Sequence, residues 1–106
     1  MLDGLWLIQF HSPCKNDTRS GVVLFQGSEL VGGDSSYYYV GSCENTDKDI
    51  LLKMRLRKHS PGVSVFGHLM DFNLILSGKF AANTLLLEGL PEHREHRLQV
   101  KLSRLQ

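Results

Sequence analysis

Between residues 50 and 57 the chain alternates strictly from Leu52 onward: Ile50, Leu52, Met54 and Leu56 occupy one phase, and Lys53, Arg55 and Arg57 occupy the other. A period of two is that of a strand with one dry and one wet face. It returns in residues 96–105, where Leu98, Val100 and Leu102 oppose Arg97, Gln99, Lys101 and Ser103. Residues 71–80 place Phe72, Leu74, Leu76, Gly78 and Phe80 on an inner face. In residues 5–10 one phase (Trp6, Ile8, Phe10) is wholly apolar and the other (Leu5, Leu7, Gln9) mostly so, which predicts a strand covered on both faces. Residues 21–26, 29–32, 37–43 and 84–89 are further strand-length apolar runs, for eight predicted strands.

The connections carry turn chemistry. Gly27-Ser28 reads as a two-residue hairpin turn of the Gly-X kind, and Gly32-Gly33-Asp34 as a turn whose glycines supply positive φ. Residues 11–20 collect Ser, Pro, Asn, Asp and Thr and read as a loop. Residues 44–49 are a polar turn, Ala82-Asn83 another, and Pro91-Glu92 breaks the seventh strand. Residues 59–70 read as a long connection whose apolar middle, Val63 to Phe66, folds over one end of the core. No segment has a useful helical period, so an up-and-down antiparallel meander is expected over residues 1–106, as a single all-β domain. Eight strands leave two exposed edges unless the first and last pair; closure into a β-barrel resolves this, and a two-sheet sandwich is the alternative. Three strands repeat a large, large, small inner pattern: Tyr37, Tyr39, Gly41; Leu74, Leu76, Gly78; Leu85, Leu87, Gly89. Glycine there either bends a strand at a barrel corner or leaves room inside.

Composition narrows the function classes. Twelve basic and eleven acidic side chains in 106 residues give a formal charge of +1, without the basic excess that direct nucleic-acid binding requires. The apolar run at residues 5–10 has no preceding basic region and is far shorter than the roughly 20 residues of a membrane span, so a cytoplasmic protein without membrane contact is expected. Cys14 and Cys43 are too few for a disulfide framework and read as reduced thiols.

Candidate chemistry is sparse. His93 and His96 lie three apart, which on a strand means opposite faces, and His11, His59 and His68 fall in or beside loops without a partner at ligand spacing, so neither metal nor cofactor is expected. There is no Gly-x-Ser-x-Gly, no cysteine in a helix-start context and no phosphate loop, so the reading is non-enzymatic. Tyr37 and Tyr39 share a face and read as core, with Tyr38 opposite; Lys53, Arg55 and Arg57 read as a solvated strand face. With Trp6, Ile8 and Phe10 inward, Leu5, Leu7, Leu51, Ile75 and Leu86 are left facing water. That surplus predicts a partner surface, with an identical chain as the expected partner.

Several stretches taken together, Asp3 to Phe10, Gly21-Val22-Val23, Gly32-Gly33-Asp34 with Tyr37 to Gly41, Ser64-Val65-Phe66-Gly67 and Asp71 to Gly78, resemble the GrlR family. That family is named for a negative regulator of type III secretion genes in pathogenic enterobacteria. The resemblance implies a small cytoplasmic, lipocalin-like barrel that forms homodimers. It further implies sequestration of a transcriptional activator through an exposed acidic Glu-Asp-Glu-Asp stretch. The matching positions here are Glu44, Asn45, Thr46 and Asp47, followed by Lys48 and Asp49; only Glu44 and Asp47 keep the acids, with Asp49 a further one nearby. Carboxylates on such a turn could pair with the basic DNA-reading surface of an activator. The alternative is a carrier or sensor holding a small apolar molecule or lipid inside the barrel, among Tyr37, Tyr39, Leu74, Leu76, Gly78 and Leu87.

Overall fold

The computed structural model describes residues 2–12, 17–45, 49–60, 71–81, 83–91 and 97–106. Eight strands follow one another: β1 (Gly4–Ser12), β2 (Asp17–Gln26), β3 (Glu29–Gly33), β4 (Tyr37–Asn45), β5 (Ile50–Lys58), β6 (Asp71–Ala81), β7 (Thr84–Pro91) and β8 (Leu98–Arg104). Each pairs antiparallel with the next, and β1 pairs with β8, closing an up-and-down barrel consistent with a lipocalin-like architecture. Closure leaves no unpaired strand edge, which is why the barrel rather than the sandwich accommodates eight short strands.

The expected inner faces are the observed ones. Trp6, Ile8 and Phe10 of β1, Ile50, Leu52, Met54 and Leu56 of β5, Leu74 and Leu76 of β6, and Leu98, Val100 and Leu102 of β8 all belong to one buried core. Aromatic edges knit it across strands: Trp6 meets Phe25 at 6.0 Å and Phe10 meets Tyr39 at 5.5 Å, both edge to face. The Trp6 indole N–H donates to the Leu2 carbonyl at 2.8 Å, and the Arg104 guanidinium lies 4.6 Å over the indole ring. That cation on the indole face seals Trp6 from solvent.

Strand boundaries differ from the sequence expectation by one or two residues at β1, β3, β4, β5 and β6, and further differences concern β2, β7 and β8. β2 begins at Asp17, so residues 17–20 are strand and not loop; Thr18, Arg19 and Ser20 pair with His11, Phe10 and Gln9. Residues with loop propensity are carried into the ladder because β1 already offers paired backbone groups there. β7 runs through Pro91, which ends the strand instead of lying beyond it, and β8 starts at Leu98 instead of residue 96. The expectations for Cys14, residues 61–70, Ala82, Glu92, His93 and His96 lie outside the described residues.

Gly27 has φ of 60°, as a Gly-X hairpin turn requires. Gly32 and Gly33, in contrast, have no positive φ; they belong to β3, and the turn falls on Asp34, Ser35 and Ser36. At Gly78 a Cβ would land on the Leu86 carbonyl oxygen of the neighbouring strand, and Gly41 and Gly89 meet the Lys53 and Ile75 carbonyls in the same way. These glycines therefore permit close backbone approach between neighbouring strands and leave no space at their Cβ positions.

Candidate functional site

The outer wall divides into two unlike halves. Eight outward positions of β1 to β4 fall into two adjacent register rows, Leu5, Leu24, Val31 and Val40 in one and Leu7, Val22, Gly33 and Tyr38 in the other, flanked by the polar row Gln26, Glu29 and Ser42. None of these eight positions carries a charge. Val31 is 51% exposed, with Val22, Tyr38 and Val40 above 39%, while Leu5, Leu7 and Leu24 are half-buried. Within β5 to β8 the outward positions include Lys53, Arg55, Arg57, Asp71, Lys79, Glu88, Gln99 and Lys101. There Arg55 grips Asp71 through two hydrogen bonds of 3.0 and 2.8 Å, Arg57 lies 3.5 Å from the same carboxylate, and Arg97 lies 3.4 Å from Glu88. The Arg55 hydrogen bonds hold the Asp71 carboxyl below its ordinary 3.8.

The apolar surplus expected from sequence is thus divided. Leu5 and Leu7 join the β1–β4 patch, whereas Leu51 is half-buried and Ile75 and Leu86, each 54% exposed, sit among charged neighbours. Val22, Leu24, Val31, Tyr38 and Val40 are the patch members that sequence reasoning missed. The available signal was strands apolar in both phases, as in Val22-Val23-Leu24-Phe25; what it lacked was register, which decides whose outward residues adjoin.

One end of the patch is anchored by polar atoms. The Asp34 Oδ1 accepts the Ser36 and Tyr37 backbone N–H groups at 2.7 and 2.8 Å, and its Oδ2 accepts the Tyr39 hydroxyl. The His59 Nε2 donates to the Asp34 carbonyl at 2.9 Å, and its ring stacks on Tyr38 with centroids 6.5 Å apart. Arg19 donates to the Ser36 hydroxyl at 2.7 Å. Burial, then the hydrogen bond to Asp34 and that carboxylate's charge, push the Tyr39 hydroxyl far above its ordinary 10.0, so it stays a donor. The turn is thereby fixed by side-chain capping, where positive-φ glycines had been expected.

Glu44 and Asn45, expected in a polar turn, are instead the last residues of β4, paired with Leu51 and Ile50 of β5, because the β5 backbone extends the ladder past Cys43. Glu44 is exposed and its carboxylate lies 3.7 Å from the Lys53 ammonium on β5; Asn45 and Asp49 are exposed. Thr46, Asp47 and Lys48 lie outside the described residues. Cys43 points inward and packs against the core, and burial followed by the charge of Glu44 raises its thiol pKa. The interior positions named for a ligand are filled: Tyr37, Tyr39, Leu74 and Leu76 are 0% exposed and Leu87 2%, so an apolar molecule there would have to displace packed side chains. Among the described residues no group of three or more His, Cys, Asp or Glu side chains converges as a metal site would, and no helix is long and apolar enough to cross a membrane.

The fold defines the chain as a closed eight-stranded antiparallel barrel whose best-formed surface feature is a charge-free wall. Comparison with protein-family models gives no match, and neither does comparison with curated proteins.

Proposed function

We propose that this chain is a non-enzymatic, cytoplasmic interaction module that pairs with a second copy of itself through the β1–β4 wall and acts as a negative regulator by sequestering a transcriptional activator. The observation that carries the reading is the pair of charge-free rows from Leu5 to Val40 and from Leu7 to Tyr38. A partner covering that wall buries apolar side chains without stranding an unpaired charge, the condition under which sheet faces associate stably. An identical wall satisfies it symmetrically. The activator, its class taken from the family resemblance, would be held by the exposed acids Glu44 and Asp49, with Asp47 a further acid between them in the sequence. Exposed charge steers and selects a basic partner more than it supplies affinity.

Native mass spectrometry of the protein purified gently from its own host tests both levels. A dimer is expected, together with a retained DNA-binding protein that Glu44→Lys with Asp47→Lys releases while the dimer persists. A monomer at micromolar concentration overturns the self-association. A dimer retaining no such protein overturns the sequestration and leaves the wall intact as a dimer surface.

A further inference from the structure

Across the barrel from β3, the outer surface over β6, β7, β8 and β1 is hollowed into a groove of about 790 Å³ bordered by Gln9, Ser77, Lys79, Leu86, Gln99 and Lys101. Register sets its chemistry. Lys79 pairs with Leu86 and Leu86 with Lys101, so two lysines flank one exposed leucine in a single row, and Gln9 continues that row on β1. Lys53, Arg55, Arg57 and Arg97 each have a carboxylate partner within 4 Å. Lys79 and Lys101 have none among the described residues, and Glu88 in the adjoining row is engaged by Arg97. Two strand spacings separate the lysine backbones by about 10 Å, a span that both long side chains can close upon one head group.

We infer that this groove binds a small amphiphilic carboxylate, its head group between the Lys79 and Lys101 ammonium groups and its apolar body along Leu86, with the Gln9 and Gln99 amides available to the remaining carboxylate lone pairs. Its volume lies within the roughly 300–1,000 Å³ of small-molecule sites, and one apolar residue between two cations without a carboxylate partner among the described residues matches a ligand that is anionic at one end only. The site is centred on β7 and meets the proposed dimer surface only along β1, where Gln9 follows Leu7 on the outward face, and its chemistry does not depend on that surface.

The test is titration of the ¹⁵N-labelled full chain with decanoate below its micelle concentration, alongside decanol, which has the same tail without the charge. Amide shifts are expected at Lys79, Leu86 and Lys101, saturating with decanoate, with affinity lowered about tenfold for decanol and for Lys79→Gln with Lys101→Gln. Leu86→Asn is expected to weaken decanoate as well, with both variants keeping the wild-type strand signal in circular dichroism. Equal binding of decanoate and decanol, binding indifferent to the lysines, shifts centred on Val31 and Val40 or on the core, or no saturable shifts would each overturn the assignment.

Discussion

The two halves of this barrel share one interior and present opposite exteriors. On β1 to β4 two adjacent rows of outward positions carry no charge, so that Val31 sits between Leu24 and Val40. On β5 and β6 the equivalent positions are charged and mutually paired, so that Asp71 answers both Arg55 and Arg57. Both halves bury their inner phase equally well, Trp6, Ile8 and Phe10 on one side and Leu52, Leu56 and Leu74 on the other, all at 0% exposure. Core formation therefore does not explain the difference. An apolar exterior adds nothing to a core already closed behind it, and it leaves a wall that is only satisfied when covered.

The comparison breaks most visibly through association. Val31→Lys with Val40→Lys is expected to raise the dimer dissociation constant by about 100-fold or more, since each buried, unpaired lysine costs several kcal/mol. Ile75→Lys with Leu86→Lys, the same chemistry on the charged half, is expected to leave it unchanged. Sedimentation velocity across a concentration series reads both, and equal effects from the two pairs would erase the distinction between the halves.

The interior shared by the two halves is probed where two backbones approach closely. Gly78→Ala places a methyl group on the Leu86 carbonyl, which backbone must yield to accommodate, and a loss of about 2–3 kcal/mol is expected in guanidinium unfolding. An unchanged midpoint would mean that β6 and β7 do not approach so closely.

A smaller effect sharpens the apolar half. Tyr39→Phe leaves the Asp34 Oδ2 without the hydroxyl it accepts, an expected loss of about 1–2 kcal/mol at neutral pH. The folded protein holds the Tyr39 proton more tightly than the unfolded chain does, so its stabilising contribution is complete below the ordinary 10.0 and declines as pH rises above it. Urea midpoints measured toward alkaline pH should accordingly converge between wild type and Tyr39→Phe.

The smallest effect belongs to the charged half. Asp71 is held below 3.8 by Arg55, so the pair contributes above that value and its contribution is lost as pH falls through the depressed folded-state value. Because both side chains are solvent-exposed, Arg55→Gln should lower the urea midpoint only slightly at pH 6 and by progressively less as pH falls below 3.8. A difference that does not shrink over that range would assign the arginine a packing role.

Much of this structure was legible in the sequence because the information lies within single strands. Alternation at residues 50–57 and 96–105 assigned the core face of β5 and β8 residue by residue, and the phase of Tyr37, Tyr38 and Tyr39 was likewise correct, since side-chain direction in a strand is a local property with period two. The Gly27 turn was legible for the same reason. The extension of β2 to Asp17 was not, because Thr18 and Ser20 have loop propensity and become strand only by pairing with β1. Nor was the Asp34 turn, whose geometry comes from carboxylate acceptors instead of the preceding glycines.

The functional surfaces divide along the same line. Alternation and the need to close exposed edges pointed to an all-β barrel, with a two-sheet sandwich as the alternative, and to more apolar surface than its core could use. Which apolar residues share a wall was decided only in three dimensions, through register. Leu5 and Val40 are 35 positions apart and lie in one row, while Leu86, which looked equivalent, stands between Lys79 and Lys101. A strand's own sequence sets which way each side chain points, but its neighbours in the closed ladder set what that side chain stands beside, and recognition depends on the second.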